Sequence, residues 1–355
     1  MVRKTCVLSD KPLKEIFRFN NFPIRMGKSN QNDIKSDMIF SISDCGLVQL
    51  QQLIDPELLY TDFHNPGAMG NIWKTHHQEF SDFISPEKYK SILEIGGSSG
   101  SLANYFIGYD WSIIDPDENI KCDANHIKGF FESYSFDSTY DIIVHSHTLE
   151  HVYEPKLFLS KIRKILNDDG LMYISIPNMY HWLSNNYANT LHFEHTYYLD
   201  LHVLSNLLSL TGFSIKNYAI SDHSIFVCCK KSEFKNIILD FTYSKDLFVR
   251  YIDSLYNEFL DIKSKIKNDK VFVFGANIFS QILINFGLEE EQIINIIDND
   301  KTKQKYNLYG TNVEIVSPNV IKDYDNPTII VKAGIYTQEI CSQLLKINPN
   351  LNLIL

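Results

Sequence analysis

Long apolar runs are missing from this sequence, and that absence is the first constraint on it. No stretch of about eighteen consecutive apolar residues occurs, so no segment reads as a membrane-crossing helix. The first twelve residues interleave Arg3, Lys4, Asp10 and Lys11 without an apolar core, which argues against a secretory leader. Cysteine is scarce: Cys6, Cys45, Cys122, Cys228, Cys229 and Cys341 are scattered over 355 residues. That is too few for a disulfide scaffold, and the expected location is the reducing cytoplasm. Cationic excess is lacking as well. Lys and Arg number 33 against 43 Asp and Glu, a net charge of −10. Such a balance leaves no broad basic face for a phosphate backbone and excludes a nucleic-acid partner, while a single pocket for a small anion remains open. Internal repeats and low-complexity tracts are absent too. What is present is 44% apolar and 13% aromatic residues, enough to bury the cores of two domains.

The pattern divides the chain into four parts. Residues 1–59 read as irregular with two short β-like runs, one of them 38–41. Residues 60–231 open with a helical stretch in which Trp73, His76, His77, Phe80 and Phe83 recur at spacings of three and four. Short apolar strands over 91–95, 111–114, 141–145, 171–176 and 224–229 then alternate with helices, which predicts an α/β domain with a largely parallel sheet. Residues 232–268 form a helical connector, with Phe248, Ile252, Leu255, Phe259, Ile262 and Ile266 three or four apart. Residues 269–355 begin a second α/β unit with strands over 270–274, 293–297 and 328–331.

Ser91-Ile-Leu-Glu-Ile-Gly-Gly-Ser-Ser-Gly100 reads as a strand, a turn of small residues and a helix opening at Ser101. Glycine is needed where a ligand packs on the backbone and φ turns positive. A pyrophosphate would avoid the acidic Glu94 inside the strand, whereas a cationic amino group and sulfonium tolerate it. The next strand ends in Asp115, whose carboxylate can accept from both hydroxyls of a ribose. In the last unit, Gly275 lacks the further glycines of a dinucleotide fingerprint, which excludes a nicotinamide oxidoreductase.

With these residues the chain resembles a class I S-adenosylmethionine-dependent methyltransferase. More narrowly, it is similar over nearly its whole length to the three-domain C-methyltransferases of nucleotide-linked sugars. Cys45-Gly-Leu-Val-Gln-Leu50 matches the end of that family's N-terminal zinc module. Ser9 and Ile42 stand where two of the four thiolates would be, so the resemblance implies the module's fold without its metal. The segment from Tyr60 to His76 lies where the family covers its cofactor, with His64 and Asn65 as candidate contacts and Trp73 as packing.

Asp141-Ile-Ile-Val-His-Ser-His-Thr-Leu-Glu-His151 resembles the fourth strand and its turn, with His145 structural, His147 lining the cofactor pocket and His151 beside the acceptor. His192-Phe-Glu-His-Thr-Tyr-Tyr198 resembles the family's His-Glu-His-x-x-Tyr signature, which implies His195 as general base assisted by Glu194. A sulfonium methyl is already electrophilic, so the enzyme has only to align the acceptor and remove its proton, which histidine does near neutral pH. The resemblance continues through Phe274-Gly-Ala-Asn and 298–311, with Lys305 in place of a Gly, Tyr309 in place of a Pro and Lys332-Ala-Gly334 in place of Trp-Asn.

The fold expected is therefore a class I methyltransferase Rossmann-like sheet, flanked by a small N-terminal module and a second Rossmann-like domain. Glu94, Gly96, Gly97, Ser98, Gly100, Asp115, Pro116 and His147 are the expected contacts to S-adenosylmethionine; His195, Glu194 and His151 are the expected catalytic residues. No metal ligands are expected. The acceptor implied is a nucleotide sugar methylated at carbon or oxygen, by a monomer or homodimer. Another small-molecule acceptor, or a binding module without turnover, stays open.

Overall fold

The computed structural model describes residues 1–29, 32–60, 71–86, 91–117, 121–267 and 269–355, with only the backbone for Asn71 and Ile335. His64 and Asn65 lie outside the described residues.

The N-terminal module is more regular than its sequence suggests. β1 (Lys14–Pro23) and β2 (Lys35–Ile42) pair antiparallel, and β3 (Gln49–Leu50) joins the far edge of β2. Register breaks between Glu15 and Phe17 and between Phe19 and Phe22 interrupt the alternation of inward and outward residues. A strand whose period of two slips is hard to read as a strand. α1 (Pro56–Leu59) follows, its first turn capped by the Asp55 carboxylate, which accepts from the Glu57 N–H.

α2 (Asn71–Phe83) leads into a seven-stranded sheet. Its strands are β4 (Ser91–Ile95), β5 (Asp110–Asp115), β6 (Asn125–Lys128), β7 (Tyr140–Ser146), β8 (Leu166–Pro177), β9 (Phe213–Ile220) and β10 (Ser224–Lys231). They lie in the order β6-β5-β4-β7-β8-β10-β9. Counted within the sheet this is 3-2-1-4-5-7-6, with the seventh strand antiparallel to both neighbours and the pairings among the first five parallel. This is the class I methyltransferase arrangement. Central strands such as Ser91–Ile95 are covered on both faces, which explains their near-continuous apolar runs.

The expected helix at Ser101 is absent. Residues 96–109 hold four glycines, three serines and one 3₁₀ turn, Ala103–Tyr105. Glycine and serine are poor helix formers, and the connection is little longer than a minimal crossover. Among the described residues no α-helix links β4 to β5, β5 to β6 or β6 to β7. Stacking of Phe106 on Trp111, with centroids 4.7 Å apart, fills part of that face. The helices of this domain are α2, α3 (Pro155–Ile165), α4 (Met179–Ser184) and α5 (Leu201–Leu210).

The connector helix α6 (Thr242–Ile266) leads to the last unit. There β11 (Val271–Phe274), β12 (Ile293–Ile297), β13 (Ile315–Val316), β14 (Thr328–Val331) and β15 (Asn352–Ile354) form a wholly parallel sheet in the order β13-β12-β11-β14-β15, with helices α7 (Ile278–Phe286) and α8 (Thr337–Ile347). One core runs through all three parts: Phe19, Phe22 and Phe40 of the module pack with Phe248 and Phe259 of α6 and Phe279 of α7. Buried Gln281 locks this junction by donating to the carbonyls of Arg25 at 2.8 Å and Tyr309 at 3.0 Å.

Candidate active site

The turn after β4 is built for close approach. Gly96 has φ +75°, and a Cβ there would come within 2.6 Å of Thr148 Oγ1. A Cβ on Gly97 would lie 2.7 Å from Ile113 Cγ2 and 2.9 Å from Glu94 Cδ, so Glu94 supports the turn from beneath. Glu94 is buried and accepts a 2.9 Å bond from Trp111 Nε1. Burial pushes its carboxyl up to about 7, against the pull of that bond.

Asp115 closes the turn from the neighbouring strand: its Oδ2 accepts from the Ser98 N–H at 2.7 Å and its Oδ1 from the Asp117 N–H at 2.8 Å. Burial raises its pKa and these two bonds oppose the rise. Each oxygen keeps a second lone pair for a ribose hydroxyl. Gly100 is left-handed at φ +78°, and Pro116 is half-buried at the end of β5. A turn with no room for side chains beside a carboxylate with free lone pairs fits S-adenosylmethionine.

The same device recurs at the C-terminal unit, where Asp298 Oδ2 accepts from the Ala276 N–H at 2.7 Å and Oδ1 from Asp300 N–H at 2.8 Å. Lys303 Nζ adds a cation 3.7 Å from Asp298. Lys305 has φ +71°, a left-handed backbone held without glycine. Tyr309 accepts from the Ile34 N–H at 2.9 Å through its hydroxyl and so ties this unit to the module. Lys332 pairs with Glu258 of α6.

The two histidine segments are held by backbone. Tyr198 N–H donates to Val48 at 3.0 Å, and Leu50 N–H to Thr196 at 2.9 Å, so the module's last strand lines up the stretch 194–198. Thr196 N–H and the Tyr197 hydroxyl donate to the carbonyls of Glu150 and Leu149, at 2.9 and 2.6 Å. The Arg3 guanidinium, buried, donates to the carbonyls of Thr196 at 2.7 Å, Tyr153 at 2.9 Å and Leu50 at 3.2 Å.

His195 is buried at 5% exposure, with its ring 3.9 Å from that of His192 and 5.5 Å from that of His151. Its Nδ1 lies 3.4 Å from the carbonyl oxygen of Thr190. A carbonyl only accepts, so Nδ1 carries the proton and Nε2 is the basic nitrogen. Burial, with the neighbouring His192 and His151, holds His195 well below the ordinary histidine range. Glu194 Oε2 is 3.7 Å from His151 Nδ1, and that nitrogen is also 2.8 Å from the Tyr60 hydroxyl. Tyr60 is not among the contacts expected from the segment 60–76.

The rest of this edge is crowded with imidazoles. His145, inside β7, is fully buried, edge-on to Phe158, and neither ring nitrogen has a partner among the described residues. His147 has φ +48° and contacts Trp73, His76, His223 and Trp182. The meeting of His76, His147 and His223 was not legible from spacing, because the three come from distant segments. At the module, Cys6 Sγ and Cys45 Sγ are buried 3.8 Å apart. Ser43 Oγ is 3.3 Å from Cys45 Sγ, and Ser9 Oγ is 3.0 Å from Ser43 Oγ. The hydrogen bond from Cys45 holds the Cys6 thiol below the ordinary cysteine range.

Residues 70–217 match the family described as "Methyltransferase domain", and residues 267–355 match one described as "C2185-like, N-terminal". No curated protein matches the sequence. Among solved structures the chain is similar to the 1,6-didemethyltoxoflavin-N1-methyltransferase of Burkholderia thailandensis, with 13% identity and a TM-score of 0.41 over 60% of this chain and 100% of that one. It is similar to an S-adenosylmethionine-dependent methyltransferase from Clostridium acetobutylicum, with 11% identity and a TM-score of 0.37 over 44% of this chain and 92% of that one. Mitomycin 7-O-methyltransferase matches with 12% identity and a TM-score of 0.39 over 45% of this chain, which spans only 55% of that protein's length. The strand order, the glycine turn with Asp115 and the family match agree: the middle of this chain is a methyltransferase domain with S-adenosylmethionine as its cofactor.

Proposed function

We propose that this methyltransferase acts on a nucleotide-linked sugar, at carbon or oxygen, with His195 as the general base. Glu94, Gly96, Gly97, Ser98, Gly100, Asp115, Pro116 and His147 form the cofactor side of the site. Bound there, S-adenosylmethionine supplies an electrophilic methyl group. The protein's own work is to hold the acceptor and take its proton.

The observation that carries the base assignment is the Thr190 carbonyl facing Nδ1 of a buried, neutral His195, which leaves Nε2 free to accept. His151 is the second histidine at this spot; the half-buried Tyr60 hydroxyl lies 2.8 Å from its Nδ1, and Glu194 lies close by. Glu194 faces His151 at 3.7 Å, so its carboxylate orients that ring and favours an imidazolium on His151. For carbon methylation the proton comes from the carbon beside a keto group and leaves an enolate; for oxygen methylation it comes from a hydroxyl.

The sugar-nucleotide acceptor is supported by the His192–Tyr198 signature and by the C-terminal unit, where Lys303 stands beside the turn at Ala276. Incubation with methyl-labelled S-adenosylmethionine and a panel of keto and reduced nucleotide sugars, read by mass spectrometry, tests it. Labelling of a nucleotide sugar is expected. Labelling confined to acceptors without a nucleotide would overturn the acceptor class while leaving the methyltransferase intact.

A further inference from the structure

We propose that His76, His147 and His223 form a binding site for a divalent cation of the zinc class. The three come from α2, the turn after β7 and the turn before β10, and one ligand atom of each lies within 4.8 Å of the others. Their rings aim at one point, which the hydroxyl of Ser224 marks: its Oγ is 2.8 Å from His147 Nε2, 2.8 Å from His223 Nδ1 and 3.1 Å from His76 Nδ1. Three converging imidazoles are a zinc donor set that leaves a fourth position open. Ser224's neutral hydroxyl is a weak ligand, so that position suits an oxygen of water or of the acceptor.

The far nitrogens of two rings face groups of the kind that orient metal-bound histidines. His76 Nε2 is 2.9 Å from Ser146 Oγ, and His147 Nδ1 faces Glu150 Oε1 at 3.5 Å. Glu150 is the second, independent sign. It is 0% exposed, and neither carboxylate oxygen has a hydrogen-bond partner among the described residues. A buried carboxyl without partners is costly to ionise, burial pushing it up to about 8, and a dication on the other side of His147 offsets that cost. Burial also keeps all three imidazoles in the neutral form that binds metal. The site is separate from the Cys6–Cys45 pair and independent of the acceptor's identity. It adjoins His151, whose ring lies 5.5 Å from that of the proposed base His195, because Glu150 Oε1 also lies 3.8 Å from His151 Nε2.

The test is a titration of the chelator-stripped, full-length protein with cobalt chloride, followed by competition with zinc chloride. One cobalt per chain with the intense visible bands of a four-coordinate site, and no thiolate charge-transfer band, is expected. His223→Asn should lose that spectrum, and Glu150→Gln should weaken binding about 10–100-fold, as loss of an outer-shell partner does. The double variant Cys6→Ser/Cys45→Ser should bind cobalt as the wild type does. Weak six-coordinate binding, binding that survives His223→Asn, or binding lost with the cysteines would each overturn the proposal. Should His223→Asn fail to fold, the ring resonances of wild-type histidines decide instead: zinc must shift three imidazoles and leave His195 unmoved. S-adenosylhomocysteine affinity, read by calorimetry on the same samples, separates failure of this site from failure of the methyltransferase reading.

Discussion

The backbone N–H of Thr196 donates to the carbonyl of Glu150 across 2.9 Å, and this bond joins the two segments that carry the histidines. His195 precedes one partner and His151 follows the other, so the facing of their rings is set by main chain rather than by flexible side chains. The N-terminal module, without two of its expected thiolates, still serves as the outer brace of this arrangement through Val48 and Leu50.

Arg3 is the natural place to test that brace. Its replacement by Met keeps most of the volume and strips donors from the carbonyls of Leu50, Tyr153 and Thr196. Bonds to a charged donor are worth about 1.5–3 kcal/mol each, and they are not additive. Arg3→Met should lower unfolding free energy by roughly 2–4 kcal/mol in urea titration, and turnover should drop with it. Unchanged stability would mean that the module is not fastened here.

Asp115 carries the cofactor side. Asp115→Ala should weaken S-adenosylhomocysteine binding by about 1–3 kcal/mol in calorimetry, through lost acceptors for the ligand and a loosened Ser98 turn. Asp298→Ala, which removes the equivalent acid of the second sheet, should leave that affinity alone. Equal losses from both would place the ligand elsewhere.

Glu94 predicts a pH dependence of stability. Burial raises its carboxyl from 4.5 to about 7, so the folded protein keeps a proton that the unfolded chain releases. Stability relative to Glu94→Gln is therefore highest below pH 4.5 and falls as pH rises toward about 7. The full change is roughly 3 kcal/mol at 1.36 kcal/mol per unit. Denaturant titrations of both proteins at pH 5 and pH 7 measure it, and a constant difference between them would contradict the assignment.

Glu94, the glycine turn and Asp115 were legible because a parallel strand covered on both faces must be apolar, which makes an acid inside it conspicuous. The absent helix after Ser101 was not, because the turn motif is followed by apolar Leu102 and Ala103, which also suit a helix start. β1 and β2 were understated because bulges break their alternation. His195, Glu194 and His151 sit in contiguous motifs, so their grouping came from the resemblance. Tyr60, Glu150 and the pairing of His76 with His223 depend on tertiary closure, and no spacing along the chain encodes it.

The most direct test of the account is the turnover of His195→Ala beside its affinity for S-adenosylhomocysteine. Loss of a general base should lower turnover about 10²–10⁴-fold, with affinity nearly unchanged because Glu94 and Asp115 remain. Wild-type activity should persist below pH 6.5, the ordinary histidine value, because burial and the neighbouring His192 and His151 keep His195 neutral there. Glu194→Gln should cost less than His195→Ala. Near-normal turnover in His195→Ala with a dead His151→Asn would exchange the two roles, and full activity in both would contradict the base assignment outright.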